Sequence, residues 1–93
     1  MIKTKTFIKR DIAGETMLIP SGKTAEEING MITLQGIGGF IWDHIEEAES
    51  LDHLLDMITM EYDVDRREAG GDALVFIMQL LQAGMIRPSG KDW

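Results

Sequence analysis

Few residues in this 93-residue chain have the types and spacing to do chemistry. Its two histidines, His44 and His53, each have an acid three residues on, Glu47 and Asp56. That i,i+3 spacing places each pair on one helix face, where it offers two metal ligands. A catalytic zinc centre usually takes three protein ligands. The chain has no cysteine and no H-E-x-x-H pattern to supply the third. Solvated, charged helix faces are therefore expected, with no metal. Ser21, Ser50 and Ser89 stand in turn, cap and tail contexts, and none resembles a nucleophile elbow. Gly36, Gly38 and Gly39 begin a phosphate-loop pattern, but Ile41 occupies the last glycine position of G-x-G-x-x-G. No Lys-Ser or Lys-Thr follows, so a tight strand-to-helix turn is the expected use of these glycines. With no acid, base and nucleophile in one motif, no catalytic residue, no enzyme activity and no cofactor are expected.

Size and charge narrow the remaining classes. At this length the chain is one domain, residues 1–93, with a modest core. A formal net charge of -7 gains nothing from counterion release on a phosphate backbone, so nucleic acid is a poor partner. A basic or amphipathic peptide would be attracted instead. The lack of cysteine favours an intracellular, cytoplasmic setting, and the N-terminus lacks the apolar region of a signal peptide. No apolar stretch reaches the roughly 18 residues of a membrane span. Seven methionines read mostly as adaptable core filler.

The elements that would position a site follow from punctuation and periodicity. Residues 7–12 and 15–19 read as two strands of a hairpin turning at Gly14. Thr24 and Glu27 fit a capping box for a single helical turn. After the Asn29, Gly30 turn signal, residues 31–34 read as a third strand, which makes strands over about 6–35. Helices follow over about 39–84. The first runs from about Gly39 to Glu47. The second runs from about Leu51 to Glu61, capped by Ser50, with Leu51, Leu54, Leu55 and Ile58 at helical spacing. The third, capped by Asp63 or Asp65, runs to the stop at Ala83 and Gly84, weakened or bent at Gly70 and Gly71. Residues 87–93 read as a mobile tail. Strands first and helices after argue for α+β, a three-stranded antiparallel sheet followed by three helices. Such a sheet leaves an unpaired edge.

The third helix is too apolar for its place. At about 100° per residue, Ala73, Phe76, Ile77, Leu80, Leu81 and Gly84 form a core face. Val75 and Met78 fall on the far side beside Gln79 and Gln82, so a second face needs cover. The β-ribbon with three helices also allows a DNA-reading winged helix-turn-helix. Its third helix carries Arg66 and Arg67, but Asp65, Glu68 and Asp72 stand among them.

The segment from Ile32 to Ile45, with its Ile41, Trp42 pair, resembles the strand-turn-helix of PqqD-like proteins (coenzyme PQQ synthesis protein D-like). Residues 54–63, ending at Tyr62 and Asp63, look like that family's second helix. Phe76, Ile77, Leu80, Ala83, Gly84, Met85 and Ile86 are similar to its last helix and closing turn. The resemblance covers about Phe7 to Ile86. Gln35 stands where Asn is usual, and Gly38 and Gly39 where Ala or Ser is often found. The resemblance implies a winged helix-turn-helix-like domain that binds a peptide rather than DNA. Such domains are recognition elements for the leader segments of ribosomally made, post-translationally modified precursor peptides. They are non-catalytic and present the precursor to a modifying enzyme, often of the radical S-adenosylmethionine type. The leader adds as a strand to the third strand and lies against the last helix. Here that edge is Met31, Ile32, Thr33, Leu34 and Gln35, and the facing pockets involve Leu74, Val75, Met78, Gln79 and Gln82. The alternatives are a DNA-binding winged-helix regulator and a small structural subunit whose open helix face serves dimerisation. Monomer and homodimer both remain open.

Overall fold

The computed structural model describes residues 1–90 and 93. Three strands form the main sheet: β2 (Phe7–Ile12), β3 (Glu15–Pro20) and β4 (Ile32–Leu34), in the order β2-β3-β4, all antiparallel. A second, two-stranded sheet pairs β1 (Ile2–Lys3) with β5 (Ile86–Arg87). A single turn, α1 (Thr24–Glu27), precedes β4. Three helices, α2 (Gly38–His44), α3 (Leu51–Glu61) and α4 (Arg66–Gln82), follow it. The architecture is α+β, a three-stranded antiparallel sheet ahead of three longer helices.

The β2–β3 hairpin closes with Ile12 opposite Glu15, leaving a two-residue loop of Ala13 and Gly14. Both loop residues have positive φ, 54° and 82°. That is the combination a twisted two-residue hairpin requires, and Gly14 adopts it without steric cost. Ser50 caps α3 by accepting from the His53 N–H at 3.0 Å, and Asp65 caps α4 by accepting from Arg67 N–H at 3.1 Å. Of the two candidate caps for α4, Asp65 is the one used.

Leu18, Ile41, Ile45, Leu54 and Ile58 are fully buried and form the centre of the core. Leu34, Trp42, Ala73, Ile77 and Leu80 join them. Phe7 meets Trp42 edge to face at 5.6 Å, and Lys9 pairs with Asp43, so β2 is fastened to α2. The α4 helix runs unbroken through its two glycines. A Cβ on Gly70 would sit 3.4 Å from Leu55 Cδ1, in contact with α3, whereas Gly71 faces open space.

Three local expectations are corrected. Thr24 and Glu27 do not make a capping box: Thr24 Oγ1 accepts from the Thr6 N–H at 2.8 Å, and Glu27 pairs with Lys5. Both side chains fasten α1 to the start of β2 instead of capping it. The first long helix starts at Gly38 and ends at His44, three residues short of Glu47. The stretch expected to be a mobile tail, residues 87–93, is held at both of its described ends. Arg87 pairs with Ile2 in the small sheet, and Trp93 Nε1 donates to the Ala48 carbonyl at 3.2 Å. Residues 91 and 92 of that stretch lie outside the described residues.

Candidate peptide-binding groove

The hairpin geometry determines which backbone groups of β4 are free. In a two-residue hairpin the closing pair, here Ile12 and Glu15, exchanges hydrogen bonds. Hydrogen bonding then alternates along β3, so Glu15, Met17 and Ile19 turn their N–H and C=O groups to β2. Thr16 and Leu18 turn theirs to β4, where they face Leu34 and Ile32. Thr33, opposite Met17, therefore directs its N–H and C=O outward, where the sheet has no further strand. The side chains of Ile32 and Leu34 stand out of the sheet plane on its packed face; Leu34 is buried and Ile32 half-buried.

A groove of about 740 Å³ opens beside that edge. One wall is β4 with its following turn: Ile32, Thr33, Leu34, Gln35, Gly36 and Ile37. The other is a stripe of α4: Asp72, Val75, Phe76, Gln79, Leu80 and Ala83. Gly38, Ile41 and Met85 complete the lining. An added Cβ on Gly38 would lie 3.5 Å from Leu34 Cβ and 3.6 Å from the Phe76 ring. The first residue of α2 thus sits in the crook between strand and helix, within contact distance of both walls.

Of the residues singled out from sequence, Ile32, Thr33, Leu34, Gln35, Val75 and Gln79 come together at this groove. Met31 lines a separate, smaller cleft of about 290 Å³ with Ile19, Pro20, Ala25 and Ile28. Leu74 and Met78 are 47% and 49% exposed on the other side of α4, with Gln82 exposed between that side and the groove flank. The buried residues of α4 are Ala69, Ala73, Ile77 and Leu80, with Phe76 and Leu81 only half-buried. The core face is thus narrower than the sequence suggests, and Phe76 sits at its margin. The groove flank missed by sequence reasoning is Asp72, Phe76 and Ala83. Asp72, Phe76, Gln79 and Ala83 recur at i, i+4, i+7 and i+11, a helical stripe that could have been found.

The polar chemistry nearby is sparse. His44 Nδ1 contacts Glu47, and its ring stacks on Phe40 at 4.3 Å. His53 Nδ1 accepts from the Glu49 N–H at 3.0 Å. Neither histidine lines the groove. Among the described residues, no three His, Cys, Asp or Glu converge on a metal-sized site, and no helix is long and apolar enough to cross a membrane.

The family model for coenzyme PQQ synthesis protein D (PqqD) matches residues 15–86 of the chain. The solved structure of TbiB1 in complex with the TbiA(beta) leader peptide is similar in fold, with a TM-score of 0.66. The two share 22% identity, and the match covers 98% of this chain and 100% of that one. No curated protein sequence matches the chain.

Proposed function

Because this chain belongs to the PqqD family, we propose that it is a non-catalytic module for the leader segment of a ribosomally made precursor peptide. The leader joins β4 as an added strand and is presented to a modifying enzyme of the radical S-adenosylmethionine type. The observation that carries this reading is the outward-facing backbone of Thr33 beside a groove walled by α4. Main-chain bonds at such an edge hold a strand of almost any sequence, and side-chain pockets select among sequences. Each large apolar side chain buried in the groove contributes about 1.5–3 kcal/mol before ordering costs. With the main-chain bonds added, two or three such side chains bring micromolar binding, about 8 kcal/mol, within reach. A fold similar to that of TbiB1, itself solved with a leader peptide, supports the assignment. The setting proposed is the cytoplasm, where ribosomal precursors are made.

The test is calorimetric titration with a synthetic leader from the precursor encoded beside this chain. Thr33→Pro removes the outward N–H, a change an edge strand tolerates on its open side. It should abolish binding while leaving the circular dichroism spectrum unchanged. Unaltered affinity in Thr33→Pro would remove strand addition from the account.

A second reading draws on Leu74 and Met78, whose exposure on α4 suits a homodimer face. Light scattering over a range of concentrations decides between monomer and dimer.

A further inference from the structure

The groove is uneven in charge. Among its lining residues Asp72 alone is charged, and it makes no ion pair among the described residues. Glu68 stands one helical turn before it on the same flank, exposed at the N-terminal end of α4. Past Asp72 the flank turns neutral and apolar through Val75, Phe76, Gln79 and Ala83. No Lys or Arg is among the lining residues, and several of the cations have partners elsewhere. Arg66 pairs with Asp56 at 2.6 Å and Lys9 with Asp43, while Lys3 lies 4.4 Å from the Trp42 ring centroid. The acidic end of the wall thus has no internal counter-charge lining the groove, in a chain of net charge -7.

From this asymmetry, and resting on the peptide-binding reading above, we infer that the groove selects a strand carrying a Lys or Arg for Asp72 beside a large apolar side chain for Val75 and Phe76. Asp72 and Phe76 are four residues apart, about 6 Å along the helix axis at about 1.5 Å per residue. A strand covers that distance in about two residues, which also returns side chains to the same face. The recognised pattern is therefore basic, any residue, then large apolar, in one direction or the other along the peptide. An acidic side chain at the basic position meets like charge at Asp72 and is rejected.

Selection of a displayed library of random 16-residue peptides on the immobilised full chain tests this, run in parallel on Asp72→Lys and Thr33→Pro. The expected result is enrichment on the wild type of Lys or Arg two positions from an aromatic or aliphatic residue. Asp72→Lys should enrich Asp or Glu at that position, and Thr33→Pro should enrich neither pattern. For a selected basic peptide, Asp72→Asn should weaken binding about five- to tenfold, and raised salt should erase the difference. Apolar peptides that depend on an intact Thr33 but show no basic preference, or the same preference in Asp72→Lys, would overturn the charge rule and leave the groove assignment standing. No enrichment over Thr33→Pro would overturn both.

Discussion

At the scale of single residues, the site depends on which side of α4 a residue occupies. Val75 lines the groove and Met78, three positions on, does not, although both are about half exposed. Their exposure makes a polar substitution tolerable to the fold in either place. Val75→Asp should therefore weaken leader binding at least tenfold, because it removes apolar contact and adds a charge inside the groove. Met78→Asp should leave the affinity within about twofold. Calorimetry on both variants separates the groove from the outer face. The excess of apolar residues on this helix is legible in the sequence, and two of the residues singled out on it, Val75 and Gln79, line the groove. Phe76 reads as wholly core because a helical wheel has no record of where a neighbouring strand ends. The groove flank of Asp72, Phe76, Gln79 and Ala83 becomes distinct from the core only once β4 and Gly38 are seen against it.

At the scale of elements, the three main strands and the three long helices were legible, since local residues decide them. Gly14 supplies the hairpin turn, Ser50 and Asp65 cap two helices, and Gly84, with φ of 71°, ends the last. Strands β1 and β5 were not legible. Each is two residues long, too short for periodicity, and each exists only through its distant partner. Thr24 misled for a related reason: its hydroxyl is taken by the Thr6 N–H from a distant part of the chain. Gly71 offers a direct check on α4, because it stands in the helix interior with open space where a Cβ would go. Gly71→Ala should stabilise the fold by about 0.5–1 kcal/mol, measured as a shift in urea midpoint at constant slope. The fastening of α1 is testable by pH. Hydrogen bonding and charge from Lys5 hold the Glu27 carboxyl below its ordinary value of 4.5, with a smaller contribution from Lys23. A depressed carboxylate contributes stability that is present above 4.5 and is lost as pH falls through the lower folded value. Lys5→Ala should move the Glu27 titration back up, read from its side-chain carboxyl resonance.

At the scale of the whole molecule, the chain forms a slab of 37 × 35 × 18 Å with one long helix and one short strand edge facing each other across a groove. The small β1–β5 sheet brings the two ends of the chain together, with buried Met1 and Ile86 joining the core. The Met1 amine donates to Ser89 Oγ at 2.9 Å, and the Thr4 N–H donates to the Met85 carbonyl at 2.9 Å. Met85, which follows α4, is itself part of the groove lining, so this closure bears on the site. The binding mode proposed for this groove is strand addition at β4 against α4. Amide chemical shifts of the isotope-labelled chain, followed as the precursor's leader is added, test it most directly. The largest shifts should fall on residues 32–38 and on Asp72, Val75, Phe76, Gln79 and Ala83, with the Thr33 amide newly protected from exchange. Shifts confined to Leu74 and Met78, or a Thr33 amide that exchanges as fast with leader as without it, would contradict it.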